Sequence, residues 1–251
     1  MEYTQSELIT VTASRLLQDG KVVFAGVGTP LLASILARCT HAPHLAVVVE
    51  GGVIDAEIQP GELPISTNEM RAGRRAVMLP GITDLFLYAQ RGFFDYGFLG
   101  GAQIDPYGNI NTSVIGPLDH PRVRLPGTGG ANDIISLCRQ IFLVTVHEPR
   151  RFVERLDFIT SPGNLGGPGQ RREAGLVFGD VTHVVTDLAL MTFHAETKRM
   201  QVAYLQPGVE LGEVLQKTGF ELLVPKEIGR LVPPTAQELE ILRGLDPRPL
   251  S

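Results

Sequence analysis

The sequence is poor in the features that anchor several common functions. It has two cysteines, Cys39 and Cys138, too few for a disulfide framework. Its histidines, at 41, 44, 120, 147, 183 and 194, show none of the close spacings that hold a metal. A metal-free protein in a reducing, cytoplasmic setting is therefore expected. There is no Lys/Arg block and the formal net charge is −5, which argues against nucleic acid or a membrane surface as partner. No run of about 18 apolar residues occurs, and the opening Met-Glu-Tyr-Thr-Gln-Ser-Glu has neither a basic nor an apolar leader region, so neither a span nor export is expected. A Gly-x-Ser-x-Gly elbow and a P-loop Lys-Ser/Thr are also missing, which removes the serine-elbow hydrolases and Walker chemistry.

What is present is an apolar, glycine-punctuated chain. Its 251 residues are 43% hydrophobic and 20% charged, enough for a large core, and 28 glycines and 18 prolines are spread between apolar runs as loop chemistry. Thr4 and Glu7 form a capping box before Ile9, Ala13, Leu16 and Leu17, at helical spacing up to Gly20. Val22 to Ala25 reads as a strand, Gly26-Val27-Gly28-Thr29-Pro30 as the turn into a helix over Leu31 to Arg38, and Leu45 to Val49 as a strand covered on both faces. Helix 83–90, strand 96–99, helix 134–139 and strand 141–146 continue the alternation.

That order predicts an α/β fold: an open, mostly parallel, three-layer sheet with helices on both faces, in a single domain over 1–251. Runs 182–186, 190–193 and 201–205 predict a short antiparallel excursion near the C-terminal third. Helix 211–217 and a last helix capped by Thr235 and Glu238 complete the reading.

Ligands of open parallel sheets bind beyond the carboxyl ends of the strands, where three glycine loops fall: 26–28, 51–52 and 100–101. They are expected to converge on one crevice. Gly28, Thr29, Gly51, Gly101 and Gln103 are accordingly the candidate pocket residues. Glu50 is the only ionisable group directly on one of these turns, with Gly51 and Gly52 leaving room beside it for a ligand. Pattern alone leaves two readings open for it, a solvated or salt-bridged carboxylate and a reactive one. Gly127-Thr128-Gly129-Gly130-Ala131-Asn132-Asp133 brings successive N–H groups to a helix start, which serves either plain helix entry or an anion. Asp105-Pro106-Tyr107-Gly108-Asn109 reads as a turn, Arg171 and Arg172 as solvated surface or a phosphate contact, and His147 as a packed or loop histidine rather than an acid/base.

Taken together, Val49-Glu50-Gly51-Gly52, Gly100 to Asn111, and Gly127 to Asn132 resemble the B subunit of family I CoA-transferases, in particular the glutaconate branch. The resemblance runs from about Thr4 to Phe220 and includes Thr160-Ser161-Pro162-Gly163, Gly167-Pro168-Gly169 and Thr218-Gly219-Phe220. It implies the CoA-transferase α/β fold, Glu50 as nucleophile, and Gly129, Gly130, Ala131 and Asn132 at the CoA thioester. It further implies coenzyme A as the substrate thioester, no metal or other nucleotide cofactor, ping-pong kinetics, and a separate A subunit in an A2B2 or larger assembly. Val49-Glu50-Gly51-Gly52 departs from the Ser-Glu-Asn-Gly usual in the branch that acts on 3-oxo acids, and the first subunit's Gly-Gly-Phe loop is not found in this chain. Repurposed hydrolases or decarboxylases on this fold, and a non-catalytic ligand-binding module, are the competing readings.

Overall fold

The computed structural model describes residues 2–246, which divide into two compact units, one from 2–98 with 233–246 and one from 99–232. Its elements are α1 (Gln5–Ser14), β1 (Val22–Phe24), α2 (Thr29–Thr40), β2 (Ala46–Val49), β3 (Val53–Ile54), α3 (Ile82–Gln90), β4 (Tyr96–Leu99), β5 (Gln103–Ile104), β6 (Ile110–Asn111), β7 (Val114–Ile115), β8 (Val123–Arg124), α4 (Ala131–Leu137), β9 (Gln140–Val144), α5 (Gln170–Glu173), β10 (Asp180–Val185), β11 (Ala189–Phe193), β12 (Met200–Leu205), α6 (Leu211–Gln216), β13 (Gly229–Arg230) and α7 (Ala236–Leu245). The alternation read from the sequence is there. Helix α4 starts earlier than expected, at Ala131, and β3, β5 to β8 and β13 are pairs of residues too short to leave a periodic signal.

In the first unit the strands run β4-β1-β2-β3. Strand β1 pairs parallel with both β2 and β4, while β3 returns antiparallel on β2. Val23, Phe24, Val47, Val48 and Val49 are buried, as central parallel strands require, and Phe24 packs against Phe86 and Phe94 at centroid distances of 6.0 and 5.7 Å. Helix α1 is buried from Glu7 to Ser14, so it is enclosed rather than amphipathic. Both capping boxes formed as expected, and each capping glutamate takes on a second task. Glu7 also accepts from Arg243 on α7, and Glu238 of α7 accepts from Arg15 at the end of α1, so the two helices clasp each other reciprocally. Arg243 holds the Glu7 carboxyl below its ordinary pKa, despite the opposing effect of burial.

In the second unit the large strands run β9-β10-β11-β12-β13. Strands β9 and β10 are parallel, and β10, β11 and β12 form the antiparallel excursion that the sequence predicted. His147 follows β9 and is 2% exposed, its ring stacked on Phe152 at 4.3 Å and held between Thr186 Oγ1 (3.1 Å) and Thr218 Oγ1 (3.0 Å). The packed-histidine reading was right. Burial lowers its pKa to about 4, with the Lys217 charge adding to the effect.

The unfolded chain therefore takes up this proton first, near pH 6.5, and the folded protein only near 4. Stability is expected to fall as pH drops from 6.5 toward 4 and to level off below, by at most about 3 kcal/mol from this group. Urea unfolding between pH 7 and 4 should show that slope in the native protein and lose most of it in His147→Gln. A slope unchanged in the variant would mean that other groups carry it.

Candidate active site

The candidate residues fall into two groups, one in each unit. In the first, β1 and β2 run parallel with Phe24 beside Val48, so the Gly26–Thr29 turn and Glu50 leave the same edge of the sheet. Gly28, exposed and at φ 80°, precedes α2 and accepts from Leu32 N through its carbonyl; Thr29 opens that helix with Pro30 in its first turn.

Glu50 heads a three-residue hairpin loop. Val49 pairs with Val53 across it, Gly52 N donates to Val49 O at 3.1 Å, and Gly52 adopts φ 87°. The chain therefore reverses immediately after Glu50, which fixes its Cα at the tip of a buried ladder. The Glu50 side chain is half-buried, and among the described residues its carboxylate has no hydrogen bond and no ion pair. That removes a salt bridge to the described residues; a solvated carboxylate and a reactive one both fit the geometry. Nearby acids differ: Asp55, just past β3, is bound by Arg38 at 2.8 Å, and Glu57 by Arg75 at 3.0 Å.

The expectation that Gly51 and Gly52 leave room for a ligand needs correction. A Cβ on Gly51 would collide with the carbonyl of Thr67, and one on Gly52 with the backbone of Gly81. The space is taken by the chain itself, as the segment around 67 and 81 packs directly on the Glu50 turn. The glycines serve that close approach. No atom lies within 4 Å of a Cβ built on Gly26 or Gly28, so the open side of this edge is at the first turn.

In the second unit, Gly101 and the residues before the 127–132 loop share a cleft of about 270 Å³, lined by Gly100, Gly101, Ala102, Thr112, Leu125, Pro126 and Arg151. Arg151, which no sequence signal marked, donates to Gly101 O at 3.0 Å. Gly101 is itself a packing glycine, since a Cβ there would strike Ile110.

The Gly129 and Gly130 N–H groups donate no hydrogen bond among the described residues, while Asn132 N donates to Thr128 Oγ1 at 3.1 Å and starts α4 together with Ala131. The loop is thus a helix entry with two free donors. A buried polar chain holds it in place. Gln103 Nε2 donates to Asp157 (2.9 Å), and Asn111 Nδ2 to Gln103 Oε1 (2.7 Å). Asn111 Oδ1 lies 3.5 Å from the hydroxyl of Thr160, which accepts from Thr112 N (2.9 Å), and Thr160 O accepts from Asn132 Nδ2 (3.0 Å). Gln103 is 8% exposed and its amide is committed to this chain, so it positions the loop. Asn111 and Thr160 lie in segments that carry the family resemblance, but their roles become visible only in three dimensions.

Thr160→Val should cost about 2 kcal/mol, because it strands a part-buried N–H, while Thr160→Ser should recover most of that loss. Thermal unfolding of the two variants measures it. Equal melting temperatures for valine and serine would show the hydroxyl to be idle.

The Asp105–Asn109 turn formed as predicted. Asp105 Oδ1 accepts from Tyr107 N (2.9 Å) and Asn109 N (3.0 Å), and Gly108 takes φ 72°. Arg171, in contrast, is no solvated surface cation: its guanidinium donates to the carbonyls of Pro162, Gly163, Ile135 and Phe178, at 2.6, 2.6, 3.1 and 2.6 Å. Arg172 is exposed.

Comparison with known proteins agrees with this fold and these loops. The coenzyme A transferase family model matches residues 6–217. The chain is 38% identical over 247 residues to the B subunit of 3-oxoadipate CoA-transferase from Pseudomonas knackmussii, covering 98% of this chain and 94% of that one. It is 37% identical over 252 residues to the B subunit of glutaconate CoA-transferase from Acidaminococcus fermentans, covering 98% and 93%. The crystal structure of that glutaconate CoA-transferase superposes with a TM-score of 0.91 at 34% identity, over 98% of this chain and 96% of that one. The decarboxylase AibA/AibB follows at 0.82 and 27%, with the same coverage. This chain belongs to the coenzyme A transferase family, as a family I B-type subunit.

Proposed function

We propose that this protein moves CoA between an acyl-CoA and a free carboxylic acid through a glutamyl-CoA thioester on Glu50. The observation that carries the reading is the Glu50 carboxylate itself, unpaired and half-buried at the tip of the β2–β3 hairpin. A carboxylate without a counter-ion keeps its lone pairs for attack.

The steps balance without a metal or an external base. Glu50 Oε attacks the thioester carbonyl and expels CoA thiolate, leaving an acyl-glutamyl anhydride. The thiolate then attacks the glutamyl carbonyl and expels the donor acid, leaving enzyme-bound CoA thioester. The acceptor carboxylate attacks that thioester, and the sequence runs in reverse to give the new acyl-CoA. Each tetrahedral intermediate needs N–H donors for its oxyanion, a role we assign to Gly129 and Gly130, with Ala131 and Asn132 shaping the loop around CoA. In the first unit, Gly28 and Thr29 are proposed to face the substrate, with Gly51 holding the Glu50 turn; in the second unit, Gly101 and Gln103 are proposed to support the loop that binds CoA.

The whole chain is read as one domain working with a separate A subunit, in an A2B2 or larger assembly. Similarity to relatives named for glutaconate and 3-oxoadipate supports a short dicarboxylate as the exchanged acid. At 37% and 38% identity, the two names are not separated by similarity, although the Val49-Glu50-Gly51-Gly52 turn departs from the Ser-Glu-Asn-Gly usual in the branch that acts on 3-oxo acids.

Initial rates with the co-expressed A subunit test the reaction class. Parallel double-reciprocal lines, with new acyl-CoA formed only when an acceptor acid is present, are expected. Thioester loss at the same rate with no acceptor would instead assign a hydrolase, and release of CO2 with the thioester intact a decarboxylase.

A further inference from the structure

We propose that the cavity between α5 and the start of β10, in the second unit, binds a phosphate-bearing anion. It measures about 670 Å³, within the range of roughly 300–1,000 Å³ typical of small-molecule sites; of the candidate ligand contacts read from the sequence only Arg171 and Arg172 line it, and neither Glu50 nor the 127–132 loop does. Its walls carry Arg139, Arg171, Arg172 and Lys198 against one carboxylate, Asp180, in a chain whose net charge is −5. The cations are gathered here against the overall balance.

Two features indicate a missing anion. Arg171 spends its hydrogen bonds on four backbone carbonyls, and among the described residues no carboxylate lies within 4 Å of it. This rigid, half-buried positive charge therefore has no close ion pair, and Asp180 offsets it only at longer range. Burial also lowers its pKa to about 10, the direction expected of a cation without a close partner. Asn164, 2% exposed, lines the same cavity, and its Nδ2 donates to nothing. Buried donors are normally satisfied, and an oxyanion in the cavity would accept from this one.

Asp180 answers part of the charge: it acts on Arg171 and pairs loosely with Lys198, at 3.7 Å. Several cations around one cavity suit the multiple charge and oxygens of phosphate better than a single carboxylate. Val177, 85% exposed, and Phe178 give the cavity an apolar wall that a base could cover. Phosphate could arrive here on the 3′-phospho-ADP end of coenzyme A or as a free small phosphate; the recognition chemistry is shared.

Isothermal titration calorimetry of the full-length chain, in the assembly in which it purifies, with 3′,5′-ADP and separately with inorganic phosphate, tests the site. Saturable binding is expected, weakened at least tenfold in Arg172→Glu, whose side chain is exposed and leaves the fold intact. It should be unchanged in Arg124→Glu, an exposed arginine outside the cavity with the same charge change. Nucleotide binding at least tenfold tighter than phosphate supports the site and identifies a nucleotide ligand; equal affinities support it as a site for phosphate alone. No binding of either, or affinity in Arg172→Glu equal to the native protein with an unchanged melting temperature, overturns it. Because no turnover is read, the result is independent of whether Glu50 is the nucleophile.

Discussion

Glu50→Ala and Glu50→Gln should each lower transferase kcat by roughly 10⁴-fold or more, equivalent to about 5.5 kcal/mol of transition-state stabilisation. Loss of the nucleophile removes the covalent route as a whole, so the effect falls on kcat while the KM for the donor changes little. Glu50→Asp keeps the charge but withdraws it by one methylene. Because acyl transfer depends on close alignment, it should still lose about 10²-fold.

Stability separates this role from a structural one. The Glu50 carboxylate has no partner to lose among the described residues, so all three variants should unfold within about 0.5 kcal/mol of the native protein. A variant that kept its activity, or lost activity only in step with stability, would remove Glu50 from the chemistry.

The second large effect is expected at Gly52→Ala. Two penalties add there: the residue sits at φ 87°, where a Cβ costs about 1–2 kcal/mol, and that Cβ would meet the Gly81 backbone, an overpacking of about 1–3 kcal/mol. A loss near 3 kcal/mol is expected, with a fall in kcat as the turn opens and Glu50 shifts. Gly26→Ala is the matched control: its φ is ordinary and nothing lies within 4 Å of a Cβ, so stability should change by less than about 1 kcal/mol. Urea midpoints of the two variants decide the matter. Equal midpoints would show that the close approach of the 81 segment to the turn does not hold in solution.

Much of the fold was legible in local chemistry. The Thr4/Glu7 and Thr235/Glu238 capping boxes, Pro30 at the start of α2, and the apolar runs of β1, β2 and β9 each satisfy a rule that acts within a few residues. Glu50 could be placed at a strand end by the same means, but its lack of a partner could not be read, because pairing is decided by residues distant in sequence. Distance also explains the errors. Gly51 and Gly52 read as open because the chain that fills their space lies some fifteen to thirty residues on, at 67 and 81. Arg171 read as surface because the four carbonyls that hold it come from three separate segments. Gln103, Asn111 and Thr160 form one buried chain from positions up to 57 apart, and no periodicity records such a network.

The central claim, that Glu50 carries CoA covalently, is tested most directly by trapping. The protein, co-expressed with its A partner, is incubated with acyl-CoA, reduced with borohydride and digested, and the mass of the peptide containing Glu50 is measured. The account predicts reduction of a glutamyl thioester to the alcohol at Glu50, present with a productive acyl-CoA and absent in Glu50→Ala. Steady turnover of the CoA ester with Glu50 never modified would contradict it.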